Sequence, residues 1–193
     1  MSLELVKQLR EKTGAGVVDA KKALDESGGD IAKALDILRT KGKAKALKKT
    51  DRETHEGTIA MYLHPNKKVG SMVTLFCETD FVGRNEEFQG LARDIAMHIA
   101  ALNPKVLRPE DVASELIEKE RSIWMEQLRN EKKPEAMHEK IMTGKEKKFR
   151  DEMSLLAQPF VKDDSKTVQE LITELIGKVG ENIVVGDFIR YEL

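Results

Sequence analysis

Glu78 and Asp80, in the stretch CETDFVGRNEEF from Cys77 to Phe88, are two carboxylates close together, the pairing that general acid–base chemistry uses. Carboxylates at i and i+2 where a strand runs out are also ordinary surface decoration, and no His or Lys is anchored beside them. Cys77 sits in a strand pattern and reads as a packed thiol rather than a nucleophile. His98 lies beside an apolar helix stripe with no second ligand at i+4, so it reads as a satisfied buried histidine or a partner-facing one. The four histidines, His55, His64, His98 and His138, show no metal-ligand spacing. Thr13-Gly14-Ala15-Gly16 is glycine-rich, but it lacks the Gly-Lys-Ser/Thr ending of a phosphate loop and follows a helix pattern rather than a strand. No residue set is therefore assigned to catalysis, to a metal or to a cofactor.

Phe81 raises a different question. A large ring beside the Asp80 carboxylate, in a connection between a strand-like and a helix-like run, has two readings. It can tuck under its own helix as a staple. Alternatively it can stand out as a probe to be buried in a partner, where one Phe is worth about 1.5–3 kcal/mol.

The elements that must position these residues follow from periodicity. The chain has 193 residues, 35% of them charged, with a net charge of −1. The near-zero balance argues against a general nucleic-acid binder. A hydrophobic content of 40% with only 5% aromatics points to an aliphatic core. The single cysteine permits no internal disulfide and favours a reducing compartment. The start, MSLELVKQLREKTGAG, has no long apolar core and is not a signal peptide. No run approaches the ~20 apolar residues of a membrane helix. These features suggest a soluble cytoplasmic protein.

Residues 1–52 read as a three-helix module with a basic linker. Leu3, Val6, Leu9 and Arg10 give the first stripe, and the Gly14/Gly16 turn breaks it. A second helix runs from Val17 to Ser27 and ends at Gly28-Gly29. Asp30 is the N-cap of a third, with Ile31, Ala34, Leu35 and Leu38 at helical spacing. Lys41, Lys43, Lys45, Lys48, Lys49 and Arg52 then form either a solvated linker helix or a contact for an acidic surface on a partner.

Residues 53–193 form the second region, with a period of two from Gly57. GTIAMYLH and VGSMVTLFCE, joined by PNKK, read as a hairpin, the second strand covered on both faces. Asn85 caps a helix with a stripe at Phe88, Leu91, Ile95, His98, Ile99 and Leu102. Residues 109–153 read as a projecting helical hairpin, with seams at Val112, Leu116, Ile123, Gln127, Leu128 and at Met137, Ile141, Lys148, Phe149, Met153. LAQPFVKDDSK reads as a loop, TVQELITELIGKVG as a helix and ENIVVGDFIRYEL as a terminal strand with a bulge at Gly186. The expected fold class is α+β, a small three-helix domain plus a three-stranded antiparallel sheet with helices and the hairpin.

The segment LREKTGAGVVDAKKALDESGGDIAKALDILRTKG, with CETDFV, HIAALNP, QPFVKDD and GENIVV in order, resembles the elongation factor Ts family in its short bacterial form, over essentially the whole chain. The resemblance implies a guanine-nucleotide exchange factor for elongation factor Tu, without covalent chemistry of its own. It implies that the N-terminal module is ubiquitin-associated-like and docks on the GTPase domain, with Gly14, Gly16, Val17 and Val18 as further contacts. Thr79, Asp80, Phe81 and Val82 match the family's Thr-Asp-Phe-Val motif, so Phe81 becomes the probe that disturbs the magnesium site near the nucleotide. The helix bearing His98 is expected to contact a distal domain of the partner. No nucleic acid and no membrane is expected to take part.

Longer members carry two related core halves and an extra C-terminal module. A chain ending at Leu193 on its terminal strand would lack the module's contacts. Short members are expected to restore the partner surface by homodimerising through their sheets. The terminal strand has no cysteine, so a disulfide through it is excluded.

Overall fold

Helix punctuation sets the end of the second helix and the start of the third. The computed structural model describes residues 3–13, 15–131 and 133–193. Helix α1 (Leu3–Thr13) buries Val6 and Leu9, packs Leu5 partly against the same core and leaves Leu3 exposed. Helix α2 (Val17–Glu26) is followed by Gly28 and Gly29 at φ +67° and +88°, values that a side chain resists. Asp30 then caps α3 (Ile31–Leu47) by accepting from the Ala32 and Lys33 amides at 2.9 and 3.1 Å. Val6, Leu9, Ala20, Ala23, Leu24 and Ala34 form the shared core.

The basic run is mostly helical, the last turns of α3. Its cations meet this chain's own acids: Lys41 bonds Glu26 at 2.6 Å, Lys45 bonds Asp19 at 2.7 Å and Lys43 bonds Glu170 at 2.9 Å. Beyond α3, Lys49 donates to the Gly180 carbonyl. These pairs are exposed, so each adds at most about 1 kcal/mol. Their effect is on orientation.

Strands β1 (Glu56–Leu63), β2 (Val69–Cys77) and β5 (Ile183–Glu192) form one antiparallel sheet in the order β1-β2-β5. Helix α5 (Glu86–Leu102) lies on its inner face: the Ser71 hydroxyl donates to the Ala96 carbonyl and Arg190 to that of Ala100. Ser71, Val73, Leu75 and Cys77 are buried on that face. The outer face of β2 is not covered as expected. Met72 and Phe76 are exposed there, because alternation shows which face is apolar but not what covers it. In β5 the less exposed positions pass from the buried Ile183 and Val185 to the half-buried Phe188 and Arg190, the phase shift that an extra residue gives.

Between helix and terminal strand the expected loop is partly ordered. Strand β3 (Pro159–Phe160) pairs antiparallel with β4 (Asp163–Thr167), ahead of α8 (Val168–Val179). A one-turn helix, α4 (Asp80–Gly83), joins β2 to α5. Helices α6 (Ser114–Asn130) and α7 (Glu135–Met153) pair as expected, with Leu128 buried in the seam, but Ile117 and Trp124 take the places expected of Leu116 and Ile123, a shift of one residue at those positions. Ile117, Trp124 and Leu128 are buried with Met142, while Leu116, Ile123 and Met137 are exposed. Trp124 packs edge-on against Phe149 with centroids 5.7 Å apart, and burying that large ring turns the helix. Arg121 and Arg150 both bond Glu146, at 2.7 and 3.0 Å, and hold its carboxyl below the usual range.

Contacts divide the described residues into two compact units. One takes the chain up to Ala60, Val73–Ala92 and Glu170–Asp187. The other takes Met61–Met72, Arg93–Gln169 and Phe188–Leu193.

The one-residue shift makes neighbouring substitutions unequal. Ile117 is 4% exposed and Leu116 is 37% exposed. Ile117→Ala is expected to cost about 2–5 kcal/mol in urea unfolding, and Leu116→Ala less than about 1 kcal/mol. Equal losses would contradict this seam.

Candidate functional site

The Thr79–Val82 segment is held by its ends rather than by packing of its ring. Strand β2 delivers the chain to Glu78 and Thr79. Thr79 is extended and caps α4, its hydroxyl accepting from the Val82 amide at 3.5 Å. Val82 is buried and Gly83 receives the Gln89 amide on its carbonyl at 2.6 Å. Asn85 caps α5 through the Glu87 amide at 2.8 Å. Phe81, on the free side of this turn, is 84% exposed. The staple alternative does not describe it.

The acids around Phe81 are occupied separately. Asp80 pairs with Arg84 at 3.1 Å. The Glu78 carboxylate accepts from the Asn182 amide at 2.6 Å and meets Arg52 at 3.4 Å. Each carboxylate has its own partners, so neither is poised to exchange a proton with the other. The Glu181 carboxylate accepts from the Glu78 amide at 3.2 Å, the Thr79 amide at 3.0 Å and the Thr79 hydroxyl at 2.6 Å. Burial, together with the charges of Glu181 and Glu56, pushes the Cys77 thiol up to about 11, so it stays protonated. Among the described residues no cluster of three His, Cys, Asp or Glu could hold a metal. What this turn can offer is an apolar ring on a braced backbone.

The other expected contacts lie apart from this turn. Gly14 falls outside the described residues. Gly16 is the residue before α2, in extended conformation, and Val17 and Val18 on the first turn of α2 are 53% and 65% exposed. His98 belongs to the other unit and is fully buried. Its Nδ1 accepts from the Val161 amide at 3.2 Å. Its Nε2 therefore carries the proton and donates to Gln158 Oε1 at 2.9 Å. The ring stacks on Phe160 at 6.0 Å. His98 thus anchors the segment from Gln158 to Val161. Sequence reading missed Glu181 and Asn182 as partners of this turn, since no local pattern marks a contact across more than a hundred residues.

The fold is α+β, with the Phe81 ring exposed on a turn braced by polar contacts. The family model described as elongation factor TS matches residues 30–193. Proteins named elongation factor Ts from Thermosipho melanesiensis and Thermodesulfovibrio yellowstonii are each 53% identical to this chain, over 99% and 100% of it and 97% and 96% of their own lengths. The protein of that name from Desulforamulus reducens is 51% identical over all of this chain and 89% of its own. The class is that of translation elongation factors, and the chain belongs to the elongation factor Ts family.

The state of His98 has a pH consequence. Burial lowers its pKa below the ordinary 6.5, against the raising effect of the Gln158 bond. The folded state binds the proton less well than the unfolded state. The resulting stability is complete above pH 6.5 and is lost as pH falls from there through the folded value. Urea midpoints are expected to fall between pH 7 and pH 5.5 with a slope of at most about 1.4 kcal/mol per pH unit from this group. His98→Gln should flatten that part of the profile. An unchanged slope in the variant would contradict the assignment.

Proposed function

We propose that this chain is a guanine-nucleotide exchange factor for elongation factor Tu, with Phe81 as the residue that weakens nucleotide binding. The observation that carries the proposal is the 84% exposure of Phe81 on a turn held by hydrogen bonds. A single exposed apolar side chain is ordinary on a protein surface; Phe81 differs in standing on a backbone fixed by hydrogen bonds on both sides of it. Membership of the elongation factor Ts family supplies the class of partner.

An exchange factor does no covalent chemistry. It binds the nucleotide-free partner better than the nucleotide-bound one, and by linkage the nucleotide weakens its binding by the same factor. A thousandfold weakening of GDP takes about 4 kcal/mol of differential contact. Insertion of Phe81, with disturbance of a magnesium site on the partner, is of that order. Thr79 and Val82 would fix the turn and line the contact, and Asp80 would add a hydrogen bond at its rim. Residues 1–52 would dock on the GTPase domain and supply affinity, with Val17 and Val18 as an exposed apolar pair beside Gly16. His98 would act on a distal contact by shaping the Gln158–Val161 segment. Such a factor works in the cytoplasm. Among the described residues no helix is long and apolar enough to cross a membrane.

The outer sheet face supports a noncovalent homodimer as part of the same reading. Met61, Leu63, Met72, Ile189 and Tyr191 are exposed and line an open groove of 390 Å³. Sheet faces and edges of this kind are ordinarily covered. Sedimentation at high concentration is expected to show twice the chain mass of 21.8 kDa. Met61→Glu should shift the species toward one chain mass. A wild-type monomer would refute the dimer.

Phe81→Ala is expected to leave thermal unfolding nearly unchanged, since the ring packs little internally. Release of a fluorescent GDP analogue from elongation factor Tu, followed by stopped flow, should slow roughly ten- to a hundredfold. Normal acceleration by the variant would overturn the role of Phe81. Binding by the wild-type chain without any acceleration would make it an adaptor instead.

A further inference from the structure

We infer that Glu181 is a positioning residue for exchange, the group that holds the Phe81 turn rigid while the ring is driven into its partner. The inference rests on the proposed function and concerns residues outside the Thr-Asp-Phe-Val segment.

The turn cannot hold itself. It is a helix of four residues, too short to persist alone, and its largest side chain is in water. The backbone just before it is gripped by a single carboxylate. Glu181 Oε2 takes both the Glu78 and Thr79 amides, and Oε1 takes the Thr79 hydroxyl. That hydroxyl in turn accepts from the Val82 amide, one residue beyond Phe81. Polarisation runs in one direction along this chain of bonds, and each bond strengthens the next. The next residue completes a clasp. Its amide donates to the Glu78 carboxylate, and the Asn182 side chain donates to the carbonyls of Arg52 at 2.8 Å and Thr50 at 3.4 Å. Residues 181 and 182 thus tie the Phe81 turn both to β5 and to the segment leaving α3.

The chemistry calls for a carboxylate. Three donors converge on two oxygens, and a carboxylate has acceptor sites for all of them. A Gln at the same position keeps the shape but turns one oxygen into a donor group. That donor faces either two amides, or the Thr79 hydroxyl, whose own proton then has no acceptor and drops out of the chain of bonds. Affinity for the partner, spread over wider surfaces, should survive, while the force delivered through Phe81 should not.

The test separates positioning from stability. In stopped-flow release of a fluorescent GDP analogue from elongation factor Tu, Glu181→Gln is expected to lower the maximal rate about three- to tenfold. The half-saturating concentration should stay within about twofold. In a Phe81→Ala background the same substitution should slow release no further, because it acts through the ring. Equal slowing in both backgrounds, or none with Phe81 present, overturns the inference while leaving the role of Phe81 standing. Failure of Phe81→Ala itself to slow release removes the proposed function and this inference together. If Glu181→Gln does not fold, amide exchange in the wild-type chain decides. Protection of Glu78 and Thr79 comparable to the β2 amides is expected, and exchange as fast as exposed loop amides would overturn the clasp.

Discussion

The turn that carries Phe81 rests on polar contacts to its backbone rather than on packing of its ring, which lies 84% exposed. Burying Phe81 would stabilise this chain by about 1.5–3 kcal/mol, so a turn left to local packing would fold the ring inward. Polar contacts on the backbone prevent that. Thr79 caps α4, Gln89 holds the Gly83 carbonyl, and Glu181 holds the two residues before the cap. Anchoring the backbone on both sides frees the side chain between. The buried Val82 then takes the inward place that Phe81 would otherwise fill.

The same division between a fixed backbone and an uncovered apolar surface recurs on the sheet. Its inner face is closed by α5, with the Ser71 and Arg190 bonds to helix carbonyls fixing the helix against the strands. Its outer face carries Met61, Leu63, Met72, Ile189 and Tyr191 in the open. Gly186 keeps part of that face flat, because a Cβ there would collide with Phe76 and Thr74. An exposed apolar patch of this kind is the surface that an interaction would cover or that aggregation would use.

Charge does two jobs in this chain. A composition that is 35% charged with a net charge of −1 leaves little long-range field. The short-range pairing is what counts. The lysines of α3 are matched with Asp19, Glu26 and Glu170, so the basic run orients the helix within its own unit. In the other unit, Arg121 and Arg150 converge on Glu146 and brace α6 against α7.

Sequence alone determined three helix ends, because caps and glycines act locally: Asp30, Asn85 and the Gly28-Gly29 pair bond or bend within a few residues of where they stand. It also determined the strand alternation, the inner positions Phe88, Ile95, His98 and Ile99 of α5 though not Leu102, which is exposed, and Phe81 as the odd residue of its stretch. Family motifs along the whole chain did the rest. Only the tertiary structure decided which side of an apolar pattern is covered. Trp124 and Ile117 took the places expected of Ile123 and Leu116, with Trp124 packed on Phe149, and the outer face of β2 stayed open. It alone showed His98 bound on both nitrogens and the Glu181 carboxylate on the Phe81 turn. Those contacts join residues 60 to more than a hundred positions apart, and no periodicity reaches that far.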